Sequence, residues 1–260
     1  MRIVGKGASG MTHSSQPQRL SQIQTLWTVV CQACGEGPTK VVGAAQEQML
    51  ERYGKVIHRY LLGALRDPDA ADEISQEFAL RFVRGDLRGA DRQRGRFRDF
   101  LKGVLFHLIG DYHRRRKKEP RGFPSEFDPA ESAADQAESD GRFLESWRSE
   151  LLSSAWNSLL QLQEQTGQPF HAVLHFRAEH PEMHSDAMAE QLGRQLGKSL
   201  TAASVRQTLH RAREKFADIL VDAVVQTLVD PTIQDLEQEL IDVDLYEFCR
   251  PALDRLRHSS

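Results

Sequence analysis

The sequence predicts an all-α protein made of two small helical domains that are joined by an acidic flexible linker. Apolar residues recur at steps of three and four in nearly every periodic segment, and no segment alternates apolar and polar residues as a half-buried strand would. Between residues 119 and 142 this periodicity gives way to prolines and acidic residues, a composition that buries too little surface to order itself. The 260 residues are enough for two such cores.

The first predicted domain contains three amphipathic helices. Apolar residues from Met49 to Ala64 form one stripe on a helix over 44–65. Asp67-Pro68-Asp69 stops that helix and caps the next, over 69–84, which buries Ile74, Phe78 and Phe82. A third helix over 96–116 carries the stripe Phe97, Phe100, Leu101, Val104, Leu105, Leu108, Ile109 and Tyr112.

Further helices are predicted on both sides of this domain, over 18–34, 143–163, 169–178, 185–196, 201–228 and 232–248. The chain then divides into five parts. These are an N-terminal extension with one helix (1–43), the first domain (44–118), the linker (119–142), a second domain (143–220) and an acidic helical C-terminal extension (221–260).

The net charge of −3 hides a strong segregation of charge along the chain. Residues 86–118 hold eleven lysines and arginines against four aspartates, and residues 201–217 hold four against one glutamate. Residues 119–150 hold nine acids against three bases, and residues 218–260 hold ten against three. Two basic islands can attract a polyanion while the whole chain stays near neutral, although charge runs are often only solvated faces.

Several classes of protein are excluded or disfavoured. No apolar run is long enough to span a membrane, and the N-terminus lacks the apolar core of a secretory signal. Three cysteines do not make a disulfide framework, so we expect a cytoplasmic protein. We find no glycine-rich phosphate loop, nucleophile elbow or paired catalytic carboxylates, and therefore expect neither enzymatic activity nor a cofactor.

Two groups of residues could suggest a metal, and we expect neither to bind one. Cys31 and Cys34 lack a second pair nearby in sequence, and Cys249 is far away. The cluster His171, His175, His180 and His184 lacks a His-Glu-x-x-His pattern, so these side chains are expected to cap, pack or face solvent. A metal-dependent enzyme built on this cluster is the weakest alternative, and metal analysis of the purified protein would test it.

Residues 185–196 and 201–217 have the proportions of a helix-turn-helix, with Thr201 as the N-cap of the second helix. Val205, Leu209, Ala212 and Phe216 form its apolar inner face. On the other faces, Ser204, Arg206, Gln207 and His210 could read base edges, and Arg211, Arg213 and Lys215 could bind phosphates. The alternative is an ordinary surface helix with scattered bases.

The helix over 69–84 has an acidic and polar face that suits a basic or polar protein partner. Asp69, Asp72, Glu73, Gln76 and Glu77 lie opposite its apolar stripe. The helix dipole alone favours the acids in the first turn, but it does not account for Gln76 and Glu77.

The helix over 96–116 has the opposite charge. Arg98, Lys102, Phe106 and His113 follow one another on its outer face, and a ring among cations suits an unstacked base of single-stranded nucleic acid. The alternative is that Phe106 completes a wider buried face.

Four segments, taken in order, resemble the extracytoplasmic-function (ECF) group of RNA polymerase sigma factors in the sigma-70 family. They are Asp-Ala-Ala-Asp-Glu-Ile-x-Gln-Glu-Phe (69–78), Gly-Arg-Phe-Arg-x-Phe-Leu (95–101), Asp-Tyr-x-Arg-Arg (111–115) and Ser-Val-Arg-Gln-x-Leu-His-Arg-Ala-Arg (204–213). The resemblance covers regions 2 and 4 of the family, about 44–118 and 145–218. It implies a factor that binds core RNA polymerase, recognises and melts promoter DNA, and so starts transcription.

The resemblance, together with the charge pattern, assigns three sets of site residues. Those for core polymerase are Asp69, Asp72, Glu73, Gln76, Glu77 and Phe78. Those for the −10 element are Arg96, Arg98, Lys102, Phe106, His107, His113, Arg114 and Arg115. Those for the −35 element are Ser204, Arg206, Gln207, His210, Arg211 and Arg213. The linker would tie two DNA readers whose spacing the polymerase sets.

The chain departs from the family pattern in two places. Residues Gly193 to Leu200 make a longer turn, which could shift the groove contacts by a residue or two. Phe106 or His107 stands where the melting helix usually has asparagine. The acidic C-terminal helix could pack on region 4 or restrain its basic face.

A different function and a further partner stay open. A stand-alone helix-turn-helix regulator that binds duplex DNA without polymerase is the main alternative, although it would need neither the acidic face nor the cation–aromatic helix. The resemblance also leaves room for an anti-sigma factor as a partner.

Overall fold

The computed structural model describes residues 39–87, 96–118, 133–228 and 231–259, and over these residues it contains nine helices and no strand. This confirms the all-α prediction. None of the described helices is long and apolar enough to cross a membrane. The helices are α1 (Thr39–Leu65), α2 (Pro68–Val83), α3 (Phe97–Lys118), α4 (Ala133–Thr166), α5 (Phe170–Glu179), α6 (Ser185–Leu196), α7 (Ala202–Val225), α8 (Ile233–Asp242) and α9 (Tyr246–Ser259). The helix predicted over 18–34 lies outside the described residues.

Helices α1, α2 and α3 pack through the predicted apolar stripes. Asp67 caps α2 by accepting hydrogen bonds from the backbone N–H groups of Asp69 at 3.1 Å and Ala70 at 3.2 Å. Pro68 occupies the first turn, where its missing N–H has no intrahelical partner to lose. Ile74, Phe78 and Phe82 are fully buried, as predicted.

Helix α4 begins at Ala133, ten residues before the predicted start, so residues 133–142 are not linker. The rest of the predicted linker, 119–132, lies outside the described residues. Long-range contacts stabilise the polar first turns of α4. Ser139 hydrogen-bonds the Tyr60 hydroxyl at 2.9 Å, Asp140 pairs with Lys102 at 2.6 Å, and Arg142 donates to the Gly63 carbonyl at 2.9 Å. None of these partners is visible in the local composition.

Helix α4 is shared between the two predicted domains. The ring of Phe143 meets Tyr60 edge-on at 5.2 Å, and Trp147 stacks on Tyr53 at 5.3 Å. Two turns further on, Trp156 packs on Phe216 of α7. The buried residues form one continuous core. The predicted boundary between 142 and 143 therefore does not separate two cores in this structure.

Helix α7 is the centre of the C-terminal half and contacts α4, α5, α6, α8 and α9. Its buried stripe continues past the predicted Val205, Leu209, Ala212 and Phe216 to Val225. This central position fixes the orientation of the outer face of α7.

The single helix predicted over 232–248 is wrong, because two helices, α8 and α9, lie there. They are separated at Asp244, which adopts the left-handed conformation with φ of 55°. Pro251 lies in the second turn of α9, where its missing N–H removes one intrahelical hydrogen bond. The two helices pack together, and Leu240 on α8 and Leu253 on α9 are both fully buried.

Candidate nucleic-acid interface

The outer face of α2 is acidic in its first half and apolar in its second. Asp69, Asp72, Glu73 and Gln76 are exposed, as predicted. Glu77 is only half-buried, and it accepts a hydrogen bond of 2.7 Å from Arg81 one turn away. The exposed charge of this face is therefore concentrated near the N-terminus of α2, where Asp72 Oδ1 also lies 2.9 Å from His58 Nε2 of α1.

Two residues of the α2 face differ from the prediction. Phe78 is 1% exposed and packs on Phe82 in the core, so it shapes α2 but offers no surface to a partner, and its inclusion was wrong. Leu80 and Val83, which the sequence analysis missed, are 46% and 51% exposed. They lie one and two turns after Gln76 on the same face, and extending the helical step from Gln76 would have found them.

The first turn of α3 does not face solvent. Arg98 is buried and donates from Nη2 to Asp242 Oδ2 of α8 at 2.9 Å, while Arg96 pairs with the same carboxylate. Both guanidiniums also lie beside the fully buried Glu239, at 3.0 Å for Arg96 and 3.3 Å for Arg98. The prediction that Arg96 and Arg98 are presented to DNA is wrong for this conformation.

The two carboxyls of α8 respond in opposite ways to this contact. Burial raises the pKa of Glu239, and the neighbouring guanidiniums of Arg98 and Arg96 offset only part of the rise. Burial also acts on Asp242, but hydrogen bonds from Gln238, Arg96 and Arg98 prevail and lower its pKa. Asp242 is therefore the anionic partner of both arginines.

The middle of α3 carries the exposed ring. Phe106 is 46% exposed, so it does not complete a wider buried face. The His107 ring, also exposed, meets it edge-on at 6.2 Å. One turn earlier, Lys102 pairs with Asp140 of α4 at 2.6 Å, so this cation is held against α4.

The C-terminal part of α3 keeps the predicted cations outside. Arg114 and Arg115 are exposed, and Arg114 donates to Asp111 at 2.6 Å. That hydrogen bond lowers the pKa of Asp111. His113 is half-buried, with its ring 5.6 Å from that of Tyr112. The exposed side chains of α3 therefore include the Phe106 ring and, about two turns later, Arg114 and Arg115.

Helices α6 and α7 form the predicted pair, with their turn at Gly197–Thr201. Gly197 ends α6 in the left-handed conformation, with φ of 62°. Gly193 lies inside α6, not in the turn, so the turn is shorter than predicted. A Cβ at Gly193 would lie 2.8 Å from the Lys198 carbonyl oxygen, which shows how closely the turn folds back on α6.

The outer face of α7 is exposed as the sequence predicts. Arg206, Gln207, His210, Arg211 and Arg213 all face solvent. Ser204 differs, because its hydroxyl is used in the capping box: Oγ accepts from the Thr201 N–H at 3.0 Å and donates to the Thr201 carbonyl at 2.8 Å. Ser204 therefore fixes the start of α7, and the longer side chains of the predicted set are the ones that extend into solvent.

The histidine cluster packs on aromatic rings. His171 and His175 stack at 5.3 Å, and both meet Trp156 edge-on. Burial and the neighbouring His175 lower the pKa of His171. Within 39–87, 96–118, 133–228 and 231–259, no group of three or more His, Cys, Asp or Glu side chains could hold a metal ion. Cys31 and Cys34 lie outside these ranges.

Comparison of the chain with protein-family models, with curated proteins and with solved structures found no match. The functional assignment therefore depends on the residues and the geometry described above.

Proposed function

We propose that this chain is a sigma-type initiation factor, which binds core RNA polymerase through α2 and promoter DNA through α3 and α7. The observation that carries the proposal is the exposed Phe106 ring on α3. It is followed by Arg114 and Arg115 on the same helix, and α2 packs directly against α3. An exposed ring on a helix that also presents cations is a stacking platform for an unpaired base.

The outer face of α2 supports a protein partner. Leu80 and Val83 leave large apolar surfaces in solvent next to Gln76 and the acidic first turns. Contact surfaces of proteins combine such an apolar centre with a polar rim. A partner with an apolar groove edged by basic side chains would match it.

The outer face of α7 supports a duplex-reading role. Arg206 and Gln207 project near the N-terminal end of the helix, where a helix-turn-helix enters the major groove. Arg211 and Arg213 follow one to two turns later, where phosphates would lie.

The experiment is gel filtration of the full chain with bacterial core RNA polymerase. We expect the chain to co-elute with the polymerase, and the variant Gln76→Ala/Leu80→Ala to bind at least about tenfold more weakly, because interface anchors of this kind are worth more than about 1 kcal/mol each. The matched control is Leu160→Ala/Gln161→Ala, which removes the same residue types from an exposed part of α4.

Failure of the wild-type chain to co-elute would contradict the proposal. If the chain then bound duplex DNA by itself, the stand-alone regulator would take its place. An equal loss of polymerase binding in the α4 control would remove the assignment of α2.

A further inference from the structure

A long-range polar contact joins the first turn of α3 to the end of α8. Asp242 and Glu239 bring two carboxylates to the guanidiniums of Arg96 and Arg98. The partners are separated by more than 140 residues, since Arg98 and Asp242 are 144 residues apart. The contact therefore closes most of the chain into one loop.

Other contacts support the same closure. The Phe97 N–H lies 3.4 Å from the Thr227 carbonyl oxygen, just after α7. Arg148 of α4 pairs with Asp244 at 2.8 Å, and Arg52 of α1 donates to the Gln226 side chain at 2.8 Å. The segment that follows α7 is thus held against α1, α3 and α4.

The buried charged groups at the centre of this contact are not fully hydrogen-bonded. Glu239 is fully buried, and its Oε2 is paired by charge with Arg96 and Arg98 without hydrogen-bond geometry. Within the described part of the chain, Glu239 Oε1 and Arg98 Nη1 are buried with no hydrogen bond. The free energy lost when such charges are removed from water offsets a large part of the free energy gained from their attraction. A contact of this kind can be exchanged for another anion, because opening restores water to the buried groups.

We propose that α8 is an intramolecular latch that occupies Arg96 and Arg98 with carboxylates and withholds them from nucleic-acid phosphates until it opens. The inference rests on the proposed function to the extent that α3 is the nucleic-acid-binding helix. The sequence left two alternatives, that the acidic C-terminal helix packs on region 4 or that it restrains the basic face of region 4. In the structure α8 and α9 do pack on α7, and the α8 carboxylates lie against α3.

The test opens the latch with the isosteric variant Glu239→Gln/Asp242→Asn of the full chain. Arg98 would then be buried and Arg96 half-buried without the two α8 carboxylates, and Asp99, 3.8 Å from Arg98 Nε, would remain as a more distant anion. Exposure of the guanidiniums to solvent relieves that cost. The probe is a fluorescent single-stranded oligonucleotide of about 16 nucleotides, long enough for one binding site. We expect the affinity for the oligonucleotide to rise about tenfold. This is the change expected if the open, binding-competent form increases from about a tenth of the molecules to most of them, because the apparent affinity is proportional to that fraction.

The salt dependence gives a second readout. Two additional guanidinium–phosphate contacts should steepen the slope of log affinity against log salt by about 1.4 for a single strand. Adding Arg96→Gln and Arg98→Gln to the open variant should abolish both gains.

The matched control is Glu182→Gln/Glu247→Gln, which removes the same number of negative charges from exposed positions that take no part in the closure. An equal gain in this control would show general electrostatics and overturn the latch. Binding by the open variant within about twofold of wild type would overturn it as well.

A measurement on the wild-type chain keeps the test decisive if the open variant folds poorly. Phenylglyoxal labelling read by mass spectrometry should modify Arg98 far more slowly than the exposed Arg211, and equal rates would overturn the latch. Core polymerase binding, measured on the same samples by gel filtration, reports the proposed function separately, because α2 does not contribute to the latch.

Discussion

Replacement of Phe106 by alanine should weaken binding to the melted promoter strand without unfolding the chain. Base–aromatic stacking is worth about 1–3 kcal/mol per base when the ring is removed, which corresponds to about 5- to 150-fold in affinity. Because Phe106 is 46% exposed, only about half of its surface is lost from the core. Full burial of a phenylalanine stabilises by about 1.5–3 kcal/mol, so the expected loss of stability is about 1 kcal/mol.

The assay compares the complex with core polymerase on two templates, one with an unpaired −10 strand and one fully duplex. Phe106→Ala should lose affinity on the unpaired template and keep it on the duplex, and Phe106→Tyr should restore it because the ring is retained. Leu160→Ala, which removes a side chain of similar exposure on α4, should bind like wild type. Binding of Phe106→Ala within about twofold of wild type on the unpaired template would refute the stacking role.

Three further predictions concern α7, α8 and the core. Arg206→Ala should weaken duplex promoter binding by about 1–3 kcal/mol in a gel-shift titration, whereas Arg194→Ala on α6 should not; equal losses would contradict base reading. Hydrogen bonds from Thr232 lower the pKa of Asp235, so the stability that Asp235 contributes is present above its ordinary value of 3.8 and is lost as the pH falls through the lowered value. Asp235→Asn should therefore flatten the acid side of a plot of Tm against pH, and an unchanged slope would count against the capping box. Trp147→Ala should reduce the free energy of unfolding by about 3–5 kcal/mol in a urea titration and Trp147→Phe by much less, whereas a loss below about 1 kcal/mol would show that Trp147 does not join α4 to α1.

The periodicity of the apolar residues was sufficient to predict most of the helices and their buried faces. The stripes on α1, α2, α3 and α7 predicted their buried faces because a helix that packs on one side imposes its own repeat on the sequence. Thr201 and Asp67 were recognisable as caps for the same reason, since a cap acts only on the turn beside it.

Long-range partners account for the errors. The first turns of α4 read as linker because their stabilising contacts, Tyr60 and Lys102, lie far away in sequence. Arg96 and Arg98 read as DNA-facing because Glu239 and Asp242 belong to a helix at the other end of the chain. No local pattern reports such pairs.

The site predictions divide in the same way. Exposure of Arg206, Gln207 and His210 follows from helical geometry and could be predicted. The roles of Ser204 and Phe78 could not, because a hydroxyl near a cap and an aromatic near a polar face each have two uses. Which use is taken depends on packing and hydrogen bonds that only the structure describes.

Run-off transcription with purified core polymerase on a library of genomic fragments tests the central proposal most directly. The proposal predicts discrete transcripts that start at defined positions when the chain is present and are absent without it. The same set of transcripts with and without the chain would contradict it.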